Sequence, residues 1–145
     1  GVLGYLVTLL SETGIESLEA RADVIAAGWN FSWLNLILTL LGAGLLAPIA
    51  EELYFRGLIY SWFRAQRWAF WLRVLLSSML FGMAHIDSLA VVVSSFILGV
   101  LNAVFYEWSK SLWVPIVMHV TTNTVAVLLL YVSMALMAYL PMLGG

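Results

Sequence analysis

Long apolar runs separated by short polar breaks are the dominant pattern of this sequence. Three windows contain no Asp, Glu, Lys or Arg, namely residues 31–50, 88–106 and 111–145, and a fourth, 68–86, is interrupted only by Arg73. About 20 helical residues cross the hydrocarbon core of a bilayer, so each window is long enough for a transmembrane helix. The pattern predicts four membrane crossings, or five if residues 1–10 are the tail of another span.

The apolar stretch from residue 31 to residue 62 is too long for one straight crossing, and Pro48 lies in its middle. A proline inside a helix leaves a backbone carbonyl without its donor and kinks or restarts the helix. We therefore expect a break near Pro48, with Glu51 and Glu52 in the first turn or two of the helix that follows.

The N-terminal part of the chain carries weaker signals. In residues 12–25 acidic side chains recur at helical spacing opposite an apolar face, which predicts an amphipathic connector. The chain opens on Gly1 without the features of a signal peptide, so we expect a fragment of a longer protein. With no internal repeat, residues 1–145 are predicted to form one all-α domain, a polytopic transmembrane helix bundle.

Composition supports the membrane class and excludes others. Hydrophobic residues make up 63% of the chain and charged residues 10%, against roughly 45 to 50% and about 25% in soluble domains. We expect a multi-pass integral membrane protein with the lipid bilayer as its partner, in the cell membrane if the source is prokaryotic. The net charge of -2, with no basic run, argues against nucleic acid. The lack of cysteine excludes disulfides, thiolate metal sites and cysteine nucleophiles.

The basic residues mark one side of the predicted membrane. Arg64, Arg67 and Arg73 surround the turn after the apolar stretch at 31–62, and Glu107 with Lys110 marks a second turn on the same side. We call this the arginine side, and the positive-inside rule predicts that it faces the cytoplasm.

Three ionisable residues are predicted to lie at one depth. Counted from the nearest basic residue on the arginine side, Glu51, His85 and His119 lie 13, 12 and 9 residues into their helices. At 1.5 Å per residue these depths are roughly 14 to 20 Å, near the middle of the bilayer. Ionisable residues within spans are costly and usually face the bundle interior. The sequence therefore predicts that the three side chains form a common site inside the membrane.

Helical spacing separates the two neighbouring carboxylates. Glu52 and Arg56 are four residues apart on one face and can form an ion pair, whereas Glu51 points elsewhere without a local partner. Glu51 is thus the candidate general base. The same spacing sets Phe81 beside His85.

His119 and Asn123 also share a helix face. Their side chains could donate hydrogen bonds to a developing oxyanion. A single buried histidine is more often a hydrogen-bonded core residue, but the set as a whole favours a hydrolytic site.

Three short motifs carry a resemblance to a known family. The segments EELYFR at 51–56, FGMAH at 81–85 and HVTTN at 119–123 resemble, in order, the E-E-x-x-x-R, F-x-x-x-H and H-x-x-x-N motifs of the CAAX protease and bacteriocin-processing (CPBP, or Abi) family. The resemblance covers residues 45–130, the expected catalytic core. It implies an intramembrane endopeptidase that acts on prenylated CAAX-type C-termini or on bacteriocin-like peptides.

By the same resemblance, Glu51 and His85 would activate the attacking water, and His119 and Asn123 would stabilise the oxyanion. Supporting positions would be Glu52, Arg56 and Phe81. The family has also been described as metalloproteases, in which case Glu51, His85 and His119 would bind zinc. We favour a mechanism without a metal cofactor, because asparagine is an unusual zinc ligand and a natural oxyanion donor.

Two other classes of function fit the pattern less well. A catalytically silent scaffold or a bacteriocin self-immunity protein of the same fold would have no need for Glu51 with both histidines. A proton-coupled transporter would also use Glu and His at the midplane, but it would be expected to show paired halves, which this sequence lacks.

Overall fold

A computed structural model describes residues 32–139 of the chain. Four helices follow one another without strands in this part of the molecule, as the all-α prediction requires. The predicted connector at 12–25 and the apolar residues 1–10 lie outside the described residues. The helices are α1 (Trp33–Ala65), α2 (Phe70–Met83), α3 (Leu89–Ser109) and α4 (Trp113–Tyr139).

Three of these helices, α1, α3 and α4, are long and apolar enough to cross a membrane. The chain is therefore an integral, multi-pass membrane protein. The helix found within the predicted span at 68–86 is shorter than that window, because α2 contains 14 residues and extends about 21 Å. Helix α2 ends at Met83, and the chain turns between this residue and Ser88. The hydroxyl of Ser88 caps α3 by accepting a hydrogen bond from the N–H of Val91 at 3.2 Å.

The predicted helix break near Pro48 is wrong, since α1 stays helical from end to end. Wider π-helical turns at Leu40–Leu46 and Leu53–Tyr60 flank an α-helical turn at Ala47–Glu52. Because proline has no N–H, the helix absorbs it by changing its hydrogen-bond register instead of ending. Glu51 and Glu52 therefore lie in the middle of a long helix.

Two glycines let α2 and α3 pack closely as a hairpin. A Cβ atom at Gly99 would lie 3.0 Å from Cβ of Ser78, and one at Gly82 would lie 3.0 Å from the carbonyl oxygen of Val92. No larger residue fits at either position without moving a helix. This contact brings the turn after α2, which carries His85, against the first turns of α3.

A polar cluster joins three helices on the arginine side. The carboxylate of Glu107 accepts hydrogen bonds from Tyr60 at 2.9 Å and from Lys110 at 2.6 Å, and Nη2 of Arg73 lies 3.6 Å away. The end of α1, the start of α2 and the end of α3 are therefore at one level, as the arginine-side prediction requires.

Candidate active site

A cavity of about 500 Å³ lies between the four helices. Every helix or its adjoining turn contributes polar side chains to its wall, including Glu51, His85, Ser94, Ser95, His119 and Asn123. The apolar part of the wall consists of Phe81 and of small or branched residues, among them Ala43, Ala47, Ala126 and Val127. A polar centre inside an otherwise apolar cavity is the arrangement expected of a binding site.

The three ionisable residues predicted to converge lie together on this wall. Oε2 of Glu51 is 3.6 Å from Nε2 of His85 and 3.7 Å from Nε2 of His119. These separations exceed a direct hydrogen bond. Oε2 of Glu51 is buried and has no hydrogen-bond partner among residues 32–139. Two imidazole nitrogens and one carboxylate oxygen thus surround a point that a small polar molecule could share.

The backbone fixes which nitrogen of His85 faces Glu51. Nδ1 of His85 lies 2.8 Å from the carbonyl oxygen of Phe81. A carbonyl only accepts, so Nδ1 carries the proton and Nε2 presents a lone pair to the cavity when the ring is neutral. The ring also packs on Phe81 with centroids 4.6 Å apart, which confirms the predicted pairing of these residues.

Glu52 faces away from the cavity and is completely buried. Its Oε1 accepts three hydrogen bonds at 2.8 Å, from Nη1 of Arg56, Nδ2 of Asn102 and Nδ1 of His119. The predicted ion pair with Arg56 is confirmed. The contact with His119 was not expected, and it fixes that ring so that Nε2 points toward Glu51.

Asn102 is the buried residue of this network that the sequence motifs do not include. Its carboxamide is fully buried and donates to Glu52 from α3. A usable signal existed, because a lone asparagine within an apolar span usually faces the bundle interior. The partner could not have been named, since 50 residues separate Asn102 from Glu52.

Asn123 lines the same cavity as His119, but its amide is partly engaged. Nδ2 donates to the carbonyl oxygen of Ala43 on α1 at 3.1 Å. A carboxamide nitrogen carries two hydrogens, so one N–H remains for a ligand in the cavity. The predicted pairing of His119 with Asn123 therefore consists of a shared cavity wall, with each side chain hydrogen-bonded to a different residue of α1.

The geometry of the site bears on the zinc set that the resemblance implies. Zinc binds nitrogen and oxygen donors at about 2.0 to 2.2 Å with a tetrahedral arrangement. Within residues 32–139, no group of three or more His, Asp or Glu side chains is arranged to hold a metal ion. As placed, the side chains of Glu51, His85 and His119 do not make up such a group. The metal-free mechanism stays a prediction.

Comparison with known proteins identifies the family. A family model described as "Type II CAAX prenyl endopeptidase Rce1-like" matches residues 32–125, more than half of the chain. The chain belongs to this Rce1-like family. The match begins at the first described residue, includes α1 to α3 and the first half of α4, and contains every candidate site residue. The resemblance noted from the three motifs is confirmed.

Two curated proteins are similar in sequence to this Rce1-like chain. A Bacillus subtilis (strain 168) protein named "Putative membrane peptidase YdiL" is 30% identical over 131 residues, which cover 89% of this chain and 50% of the relative. An Escherichia coli protein named "Uncharacterized 24.3 kDa protein" is 35% identical over 97 residues, covering 65% of this chain and 45% of that protein. The chain spans about half the length of these curated relatives. No solved structure matches it.

Proposed function

We propose that this chain forms the catalytic centre of an intramembrane endopeptidase, in which Glu51 and His85 activate a water molecule for attack on a peptide bond. The observation that carries the proposal is the approach of Oε2 of Glu51 to Nε2 of both His85 and His119, at 3.6 and 3.7 Å, on the wall of a cavity. Family membership supports hydrolysis as the reaction class.

The attacking water is proposed to lie between Glu51 and His85. Both Oε2 of Glu51 and Nε2 of neutral His85 are acceptors, so a water there would donate one hydrogen to each. Its lone pair would then point away from both residues and toward a substrate carbonyl. This accounts for an otherwise unsatisfied buried carboxylate oxygen.

The oxyanion is proposed to be stabilised by His119 and Asn123. Because Nδ1 of His119 donates to Glu52, donation from Nε2 as well requires an imidazolium. The two carboxylates Glu51 and Glu52 and the guanidinium of Arg56 leave a single negative charge, which that imidazolium would neutralise. The second N–H of Asn123 would complete the pair of donors.

The proton balance closes without another reactant. Glu51 takes one proton from the water as the oxygen bonds to the substrate carbon, and the carbonyl becomes an oxyanion. The tetrahedral intermediate then collapses, the carbon–nitrogen bond breaks, and Glu51 returns the proton to the leaving amine. Enzyme groups end in their starting states, as a catalytic cycle requires.

The substrate is proposed to be a membrane-associated peptide, and the family name favours a prenylated CAAX-type C-terminus over a bacteriocin-like peptide. A catalytically silent scaffold of the same fold is the competing function. Oε2 of Glu51 and Oε2 of Glu52 both lack a hydrogen-bond partner among the described residues, which is destabilising, but of the two carboxylates only that of Glu51 lines the cavity, where a bound water can reach it.

Cleavage assays on the full-length protein in detergent test the proposal. The reporters are a prenylated CAAX peptide, its unprenylated form and a bacteriocin-like peptide. Glu51→Gln and His85→Ala should each lower kcat by roughly 10²- to 10⁴-fold, the usual contribution of general acid–base catalysis. Glu107→Gln is the matched control, because it removes a carboxylate within α3 that lies away from the cavity.

The outcomes separate the hypotheses. Full activity in both variants would refute the site assignment, and no cleavage of any reporter by the wild type would favour the scaffold. A strong chelator should leave activity unchanged. Loss of activity in the chelator that zinc restores would overturn the metal-free mechanism.

A further inference from the structure

Pro48 lies where α1 changes its hydrogen-bond register. The N–H of Ala47, one residue earlier, donates to the carbonyl oxygen of Gly42, five residues back, as in a π-helix. Pro48 has no N–H, so it can donate neither to Gly44, four residues back, nor to Ala43, five residues back. The helix thereby leaves carbonyl oxygens available on the side that faces α4.

Side chains from α4 donate to both carbonyls. Nδ2 of Asn123 lies 3.1 Å from the carbonyl oxygen of Ala43, and Oγ1 of Thr124 lies 3.5 Å from that of Gly44. The two helices approach closely here, since a Cβ atom at Gly44 would lie 3.3 Å from Oγ1 of Thr124. Side chains of α4, the helix that carries His119, thus donate the hydrogen bonds that Pro48 cannot donate within α1.

We propose that Pro48 is a positioning residue for the oxyanion site: by withholding a backbone N–H it leaves the carbonyl of Ala43 to anchor the carboxamide of Asn123. With one N–H held by Ala43, the plane of the amide is fixed and the second N–H is directed into the cavity. Donors that are oriented before the reaction stabilise an oxyanion without a reorganisation cost. The inference rests on the proposed role of Asn123 as an oxyanion donor.

Replacing Pro48 with alanine should release Asn123. Pro48→Ala supplies an N–H four residues after Gly44 and five after Ala43, and this N–H competes with the side chains of α4. Alanine is a better helix former, so the fold should be retained. We expect kcat to fall roughly tenfold with KM nearly unchanged, less than the roughly 10²- to 10³-fold loss on removing an oxyanion donor.

Pro115→Ala is the matched control. Pro115 is a buried proline in the first turn of α4, where an added N–H has no intrahelical acceptor to compete for. This variant should keep the wild-type kcat.

A coupling measurement distinguishes positioning from general damage. In an Asn123→Ala background, Pro48→Ala should cause no further loss of kcat, because the group that it positions is gone. Additive losses in the double variant would overturn the inference. So would wild-type kcat in Pro48→Ala.

A spectroscopic measurement tests the anchor without relying on catalysis. The chain has four asparagines, so selective ¹⁵N-asparagine labelling in detergent gives few side-chain NH₂ signals, and the pair missing in Asn123→Ala identifies Asn123. Pro48→Ala should shift this pair and speed its exchange with water, whereas Pro115→Ala should not. An unchanged pair in Pro48→Ala would refute the anchor. If Glu51→Gln is inactive but Pro48→Ala behaves as wild type, only this inference fails and the proposed function stands.

Discussion

At the scale of single residues, two adjacent glutamates have opposite environments. Oε2 of Glu51 lies at the cavity, whereas Oε1 of Glu52 accepts hydrogen bonds from three donors away from it. Oε2 has no partner among the described residues in either glutamate, so the two differ in their access to the cavity and in the donors that Oε1 of Glu52 holds. A general base must be able to exchange a proton with the water. The carboxylate of Glu52 is less suited to this, because it accepts hydrogen bonds from Arg56, Asn102 and His119. The two positions should therefore respond differently to the same substitution.

We expect Glu52→Gln to destabilise the protein and Glu51→Gln to inactivate it without destabilising it. Neutralising Glu52 leaves Arg56 buried without its counter-ion, and breaking a buried pair costs about 3 to 5 kcal/mol. Denaturant unfolding in detergent measures the free energies of unfolding of the two variants. A stable Glu52→Gln protein, or an equally unstable Glu51→Gln protein, would contradict this division of roles.

Local spacing predicted the contacts within one helix but not those between helices. The Glu52–Arg56 pair and the Phe81–His85 pair follow from the i,i+4 geometry of a helix, so both could be expected. The donation from Asn102 to Glu52 depends on how α3 packs against α1, which no short-range pattern encodes. For the same reason the sequence could not predict which carbonyl would anchor Asn123.

At the scale of helices, α1 shows why a proline is an ambiguous signal. Carbonyl oxygens that Pro48 cannot pair are present in α1, at Ala43 and Gly44. The predicted break near Pro48 is nevertheless absent, because α1 remains helical through this region. Whether a helix breaks depends on whether other groups satisfy those carbonyls, and here α4 does so. The side chain that accounts for the carbonyl of Ala43 belongs to Asn123, which is 80 residues further along the chain.

The α2–α3 hairpin offers a test of helix packing with an internal control. Gly99→Ala should lower the free energy of unfolding by about 1 to 3 kcal/mol, because its Cβ would lie 3.0 Å from Cβ and 3.1 Å from Cα of Ser78. Gly42→Ala should instead raise it by about 0.5 to 1 kcal/mol, since a Cβ at Gly42 meets nothing within 4 Å. Thermal unfolding in detergent compares the two, and equal effects would refute the close packing.

Gly99→Ala should also lower activity, which Gly42→Ala should not. The carbonyl oxygen of Gly99 accepts a hydrogen bond from Nη2 of Arg56 at 3.0 Å, so moving α3 disturbs the network around Glu52. Cleavage of the peptide reporters in detergent measures this effect at a temperature where both variants are folded. Normal kcat in a destabilised Gly99→Ala protein would show that the hairpin and the site are independent.

At the scale of the whole molecule, the site depends on every described helix. Glu51 comes from α1, His85 from the turn after α2, and His119 from α4, while Asn102 on α3 supports the network. Three apolar spans surround this polar centre. Apolar windows and motif order predicted which helices would meet, because charged and polar side chains in spans turn away from lipid.

The arrangement of the turns relative to the membrane can be measured directly, because these 145 residues contain no cysteine. Cysteines at Gln66 and Ser109 should react with a membrane-impermeant maleimide from one side, since the cluster of Tyr60, Arg73 and Glu107 holds both turns at one level. A cysteine at Ile86, which is 79% exposed on the turn after α2, should not react from that side.

The positive-inside rule predicts that Gln66→Cys and Ser109→Cys label in inside-out vesicles and stay protected in intact cells. Because α2 extends about 21 Å against a hydrocarbon core of roughly 30 Å, Ile86→Cys should label slowly from the opposite side. Labelling of all three cysteines from the same side would refute the hairpin as a membrane crossing, and the reversed pattern would refute the orientation alone.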